Sequence, residues 1–216
     1  RIAVLVSGGG TNLQALIEAQ RRGEIVGGEI AAVISSKPGA YALERARRAG
    51  IPGYVVSRKD YDTNQAMTAA LVDKLSGLDI DLVVLAGFMV IFTREMVDAY
   101  PNAILNVHPA LIPSFCGKGY YGLHVHERAL EYGVKVSGAT VHFVSEECDG
   151  GPIVLQKAVA VEENDTPETL QRRIMEQAEW VILPRAVSLF CQSRLKVEGR
   201  TVRILKPLNL SKECLR

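Results

Sequence analysis

Two hydrophobic patterns trade places along the first half of the chain. Short apolar runs at Ile2–Val6, Ile30–Ile34, Asp81–Ala86 and Ala103–His108 read as strands, and the β-branched-rich ones suit burial on both faces of a parallel sheet. Between them apolar residues recur at helical spacing: Leu13, Ala15, Leu16 and Ile17, then Ala40–Ala49 with a basic outer face, Asn64–Leu75, and Arg94–Tyr100. Gly50 with Pro52, and Pro101, supply the stops, and Gly53–Ser57 is one more short strand. Strand and helix alternating without interruption imply right-handed crossovers and a doubly wound, mostly parallel α/β sheet.

The pattern changes after Pro109. Pro113, Gly117, Gly119 and Gly122 mark a long surface loop, Val125–Tyr132 reads as a helix, and Ser137–Ser145 alternates like a strand. Ile153–Val161 follows closely enough to pair with it antiparallel. Thr166-Pro167-Glu168 opens the longest helix, with Thr166 as N-cap, and Pro184 should kink it. Glu176 and Glu179, three apart, should share a face of that helix. Leu195–Val197 and Thr201–Ile204 around Glu198-Gly199-Arg200 form a hairpin, and the last residues read as a tail. No repeat or linker interrupts the chain, so residues 1–216 are expected to form a single domain.

Composition narrows the partners. Lys+Arg 25 against Asp+Glu 24, with no long basic block, disfavours nucleic acid as the main ligand. No apolar run approaches a membrane span and no signal-peptide pattern opens the chain, so a soluble, cytoplasmic protein is expected. The sequence starts at Arg1 rather than Met, which reads as residues missing from its start. Cys116, Cys148, Cys191 and Cys214 form no CxxC pair and read as reduced thiols.

Chemistry concentrates in three segments at strand ends. Ser7-Gly8-Gly9-Gly10-Thr11-Asn12 joins a strand to a helix start, the parts of a phosphate cradle. Leu13 stands where a dinucleotide fingerprint has its third glycine, and the next strand ends in Ser35-Ser36-Lys37 rather than in an acidic residue. A nicotinamide dinucleotide is therefore disfavoured. A phosphate monoester fits better; a tight turn of purely structural purpose stays open. Asn106 and His108 lie two apart on one strand and so project from the same side, an amide donor beside a titratable imidazole. That pair suits attack on a carbonyl: the amide donates to a growing oxyanion and the imidazole moves a proton. Gly87-Phe88-Met89-Val90-Ile91-Phe92 extends past its strand, either walling a flat ligand or continuing the core. In doubly wound sheets ligands sit at the carboxyl ends of strands, where all three segments fall.

Further candidates come later in the chain. Asp149, between Cys148 and Gly150-Gly151-Pro152, either closes an Asx-turn or reaches His108 and raises its pKa toward working pH. His142 reads as a hydrogen-bonded core histidine. His124-x-His126-Glu127 has strand spacing on a helical segment, so a solvated helix start is favoured over a metal site.

Ser7–Asn12, Gly87-Phe88-Met89, Asn106-Val107-His108-Pro109-Ala110-Leu111-Ile112-Pro113 and Asp149-Gly150-Gly151-Pro152, in this order and spacing, resemble the phosphoribosylglycinamide formyltransferases among the 10-formyltetrahydrofolate enzymes. The likeness runs from Ile2 to about Phe190, and Glu179 ahead of Ile182-Leu183-Pro184 narrows it to this family. It implies a Rossmann-like formyltransferase fold with an antiparallel C-terminal part. It also implies transfer of a formyl group from 10-formyltetrahydrofolate to the amine of phosphoribosylglycinamide, without a metal. In that picture Asn106, His108 and Asp149 are catalytic, with Asn106 donating to the formyl oxygen, His108 delivering a proton and Asp149 orienting it. Gly10, Thr11 and Asn12 would hold the substrate phosphate, and Glu179, with Glu176, Gln177 and Ala178, its ribose. Met89, Val90, Ile91, Phe92, Ser145, Glu146, Glu147, Cys148 and Asp149, together with Asn106, would line the folate pocket.

Two positions depart from the family pattern: Val90 and Asn64 fall where relatives often carry arginine, which shifts folate contacts toward backbone groups. The sequence leaves a homodimer open. Competing readings are a formyl-folate hydrolase, a formyltransferase for another amine, and a non-catalytic nucleotide- or folate-binding module.

Overall fold

The computed structural model describes residues 1–90 and 92–207, so the tail expected at the end of the chain, with Cys214, lies outside the described residues. Five strands, β1 (Ile2–Val6), β2 (Ile30–Ser35), β3 (Gly53–Val55), β4 (Leu82–Leu85) and β5 (Ile104–His108), pair in parallel. β6 (Val136–Phe143) and β7 (Ile153–Ala160) add on antiparallel. The hairpin of β8 (Leu195–Glu198) and β9 (Thr201–Ile204) extends the far edge through one parallel pair, Ile153 with Thr201. The order across the sheet is β3-β2-β1-β4-β5-β6-β7-β9-β8.

Side-chain alternation divides the core in two. Ile2, Val4 and Val6 of β1, with Leu82 and Val84 of β4, enter one apolar layer, and Ala3, Leu5, Val83 and Leu85 enter the other. The first layer is covered by α1 (Thr11–Arg21), α2 (Tyr41–Arg48), α5 (Leu123–Tyr132), α6 (Pro167–Ile174) and α7 (Trp180–Cys191), which contribute residues such as Leu16, Ala46, Ala129, Ile174 and Leu183. The second is covered by α3 (Asn64–Ser76) and α4 (Arg94–Ala99) through Met67, Leu71, Leu75 and Met96. Leu105 and Val107 face the first layer, so Asn106 and His108 stand on the side of Ile104, toward the second.

Thr166 caps α6 reciprocally with Thr169, its hydroxyl accepting from the Thr169 N–H at 3.3 Å. The irregularity expected at Pro184 falls further upstream. Pro184 sits inside α7, while Met175–Glu179 form a π turn between α6 and α7. That turn overturns the shared face expected for the two acidic residues. Glu176 and Gln177 are exposed, whereas Ala178 and Glu179 are buried, because the extra residue changes the angular step along the helix.

Two positions need glycine for space, one within β6 and one in the turn before β7. A Cβ on Gly151 would stand 1.8 Å from the Phe143 carbonyl oxygen, and one on Gly138 2.1 Å from that of Lys157. Both obstacles are backbone, which cannot swing aside as a side chain would. We expect Gly151→Ala to destabilise the protein by about 1–3 kcal/mol through forced separation of β6 from the turn before β7; unchanged thermal melting would contradict the close approach.

Two buried titratable groups bend the pH dependence of stability in opposite directions. Burial pushes the His126 imidazole from 6.5 down to about 4, helped by nearby His108, and neither ring nitrogen has a protein hydrogen-bond partner. Its unfolded form binds a proton that the folded form refuses, so the stability it contributes is present above pH 6.5 and is lost as pH falls toward 4. Burial pushes the Glu179 carboxyl from 4.5 up to about 7, against the hydrogen bond from Asn12 that pulls it down. Here the folded form keeps a proton the unfolded form releases, so stability declines as pH rises from 4.5 through 7. Melting curves from pH 4 to 8 should show His126→Phe flattening the acid limb and Glu179→Gln flattening the fall toward neutral pH, each leaving the other limb in place.

Candidate active site

β1, β4 and β5 are neighbours in the sheet, and the chain leaves β1 toward β2 on one side before crossing to β4 on the other. That reversal opens a crevice at their carboxyl ends. The Ser7 hydroxyl ties two of the turns together there. It sits 2.6 Å from the Ser36 hydroxyl and accepts from the Met89 N–H at 2.9 Å.

The carbonyls of the glycine turn are taken up by α1 and α2. Gly8 accepts from the Ala42 N–H at 3.1 Å, and Gly10, at φ 74°, accepts from Gln14 at 2.9 Å as α1 begins. Among the described residues, the N–H groups of Gly9, Gly10, Thr11 and Asn12 donate to no protein acceptor. A run of free donors at a helix start attracts an anion. The Thr11 hydroxyl lies 3.8 Å from the Met175 sulfur, and the Asn12 amide donates to Glu179 Oε2 at 2.6 Å. Asn12 Oδ1 is buried and has no protein partner. Of the four residues expected at the ribose, Glu179 stands against the glycine turn, Glu176 and Gln177 are exposed on the π turn, and the Ala178 methyl is in the apolar core.

One carboxylate gathers the second group. Asp149 Oδ2 accepts from the Gly117 N–H at 2.8 Å and faces His108 Nδ1 at 3.6 Å. Its Oδ1 lies 3.4 Å from the Asn106 amide nitrogen and 3.5 Å from His142 Nε2. Carbonyl partners settle both imidazole tautomers, because a carbonyl only accepts. His108 Nε2 donates to Phe115 O at 2.8 Å, leaving Nδ1 as a lone pair toward Asp149. His142 Nδ1 donates to Phe143 O at 2.8 Å, so its Nε2 accepts from Asn106 at 3.1 Å.

The charge on His108 differs from the sequence-based expectation. Burial pushes its imidazole below the ordinary value and outweighs Asp149 and the Phe115 carbonyl, which push it up. His108 is 4% exposed, and at 3.6 Å Asp149 is too far for the direct hydrogen bond that would reverse the balance. Asp149 itself is held below the usual carboxylate range: burial raises it, but His142 and His108 in their protonated forms, together with the Gly117 N–H, lower it further.

A cavity of about 850 Å³ opens beside these groups, with Asn106, His108, His142 and Asp149 in its wall. Met89, Val90, Phe92, Ser145, Glu146, Glu147 and Cys148 all line it, while Ile91 lies outside the described residues. Phe88 and Phe92 stack at 5.3 Å, giving one wall a flat aromatic surface. Arg94 joins two walls by reaching Glu146 at 3.3 Å, and it pairs along its own helix with Asp98 at 3.2 Å. Sequence reasoning missed His142, the Phe115 carbonyl and the Gly117 N–H. His142 was recoverable from register, since it pairs directly opposite Asn106 across β5 and β6 and so shares its face. His124 pairs with Glu127 at 3.1 Å on the surface while His126 turns inward, which separates the two histidines of that segment.

Comparison with known proteins agrees with this geometry. Residues 1–187 match the family model described as formyl transferase. The phosphoribosylglycinamide formyltransferase of Haemophilus influenzae is 44% identical over 198 residues, covering 92% of this chain and 90% of that protein. Among solved structures, glycinamide ribonucleotide transformylase 1 from Symbiobacterium toebii superimposes with a TM-score of 0.90 at 50% identity, over 95% of this chain and 94% of the other. A formyltetrahydrofolate deformylase from Pseudomonas syringae shares the fold at a TM-score of 0.84 with 26% identity, and this chain spans 66% of it. The chain belongs to the formyl transferase family, and within it to the phosphoribosylglycinamide formyltransferases.

Proposed function

We propose that the protein transfers the formyl group of 10-formyltetrahydrofolate to the amine of 5-phosphoribosylglycinamide, a step of purine synthesis in the cytoplasm. The observation that carries this reading is the meeting of Asn106, His108 and Asp149 in the wall of a cavity. The anion cradle opens at the same sheet edge, at the end of β1.

In this mechanism the phosphate rests on the N–H groups of Gly10, Thr11 and Asn12, and the ribose hydroxyls meet Glu179. The folate ring system lies along Met89–Phe92 and Ser145–Asp149. The amine attacks the formyl carbon, a C–N bond forms, and the carbonyl electrons move onto oxygen. Asn106 donates to that oxygen: its 3.1 Å bond to His142 holds the amide, and its longer 3.4 Å contact with Asp149 is the one the oxyanion replaces. The proton shed by the attacking amine passes to Asp149 or to the lone pair of His108 Nδ1. Collapse of the intermediate returns the carbonyl, breaks the bond to the folate nitrogen and delivers a proton to it. Protonated His108 is favoured only while Asp149 is charged beside it, so the two act as one acid–base unit.

A hydrolase would use the same groups on water. Tetrahydrofolate release that needs the ribonucleotide amine supports transfer; release without it supports hydrolysis; no release supports a binding module. We expect Asn106→Ala to lower kcat by about 10²–10³-fold while both substrates still bind, as measured by steady-state kinetics beside calorimetric binding. Near-normal turnover would remove Asn106 from the chemistry.

A further inference from the structure

The three arginines of α2 have different fates. Arg47 and Arg48 both bond Glu44, each at 2.7 Å. Arg45 forms no ion pair among the described residues and turns the other way, onto the glycine turn. Its Nε donates to the Gly9 carbonyl at 2.8 Å and its Nη1 to Gln14 Oε1 at 3.0 Å, while the Tyr41 ring lies beneath the guanidinium at 5.0 Å.

A trans peptide carries its C=O and its N–H in opposite directions. Holding the Gly9 carbonyl therefore aims the Gly10 N–H the other way. The same logic applies on either side: Ala42 holds the Gly8 carbonyl and so aims the Gly9 N–H, and Gln14 holds the Gly10 carbonyl and so aims that of Thr11. Of these three peptides, the Gly9–Gly10 unit alone is fixed by a side chain, and glycine at both positions leaves it free to flip without that restraint. Gly10 cannot be replaced to stiffen the turn, because a Cβ there would stand 2.7 Å from the Ala42 Cβ in a backbone already at φ 74°.

We propose that Arg45 is a positioning residue for substrate phosphate: it locks the Gly9–Gly10 peptide in the anion-binding orientation and leaves an uncompensated positive charge behind the cradle. This rests on the reading of the glycine turn as the phosphate site. A guanidinium suits the task, since its planar fork bonds Gly9 and Gln14 together, where an ammonium would hold one of them as a point charge.

The test compares wild type with Arg45→Ala and Arg45→Lys, using the phosphorylated substrate, its dephosphorylated ribosylglycinamide counterpart and inorganic phosphate. Arg45→Ala should raise the KM for the ribonucleotide by about tenfold, with kcat and the KM for formyl folate unchanged. Arg45→Lys should recover part of the loss. The kcat/KM for the dephosphorylated substrate should be the same in all three proteins, and calorimetric binding of inorganic phosphate should weaken in parallel with the ribonucleotide KM. Equal losses for phosphorylated and dephosphorylated substrates would reduce Arg45 to a structural residue and overturn the proposal, as would unchanged phosphate binding in Arg45→Ala. If wild type binds phosphate but turns over no ribonucleotide, the proposed reaction fails while the calorimetric comparison still decides the role of Arg45.

Discussion

The division of labour between the two oxygens of Asp149 is the constraint on which the site depends. One oxygen takes the Gly117 N–H and faces His108; the other faces Asn106 and His142. A single half-buried carboxylate thus links the loop after β5, both polar side chains of β5 and the histidine of β6. Its backbone is left-handed at φ 55°, and Gly150 and Gly151 follow with almost no room for side chains. The turn is built for placement of one group, and strain at that residue is the cost of it.

Charge follows from that arrangement. Burial favours the neutral form of His108 and of Asp149 alike. Both imidazoles have one nitrogen committed to a carbonyl, which fixes the ring and turns the other nitrogen inward. The carboxylate keeps its charge because donors surround it on both oxygens. The low pKa direction at His108 is in this sense a property of the resting site, since bound substrate alters both its solvation and its neighbours.

Much of the fold could be read from spacing because two periods dominate it. The apolar runs became β1, β2, β4 and β5 within a residue or two, and the helix stops at Gly50 and Pro101 hold. The strand-to-helix turn at Ser7–Asn12 and the shared face of Asn106 and His108 were legible for a local reason, as each is set by backbone direction within a few residues. The rest required long-range facts. His142 enters the site only through the pairing of β5 with β6, and nothing within its own strand distinguishes it from a core histidine. The π turn at Met175–Glu179 is invisible to a 3.6-residue period, so Glu176 and Glu179 were assigned one face and occupy two environments. The direction of the His108 shift depended on a competition between burial and a carboxylate, and its outcome turns on a distance no sequence contains.

The loop from Pro113 to Gly122 then acquires a meaning beyond connection. Its Phe115 carbonyl holds His108 Nε2, and its Gly117 N–H holds Asp149, so the segment touches both side chains through backbone atoms alone. Backbone contacts of this kind are insensitive to side-chain identity but sensitive to loop path. Phe115 is anchored against Tyr120 and Tyr132 at 6.4 and 6.0 Å, which fixes the path from the outside. Gly117, Gly119 and Gly122, all with positive φ, allow that path to turn back over the cavity they help to line. A ligand that displaces the loop would release His108 and Asp149 together, and one that presses it closer would tighten both. The path of the loop and the placement of His108 and Asp149 are therefore joined through two hydrogen bonds.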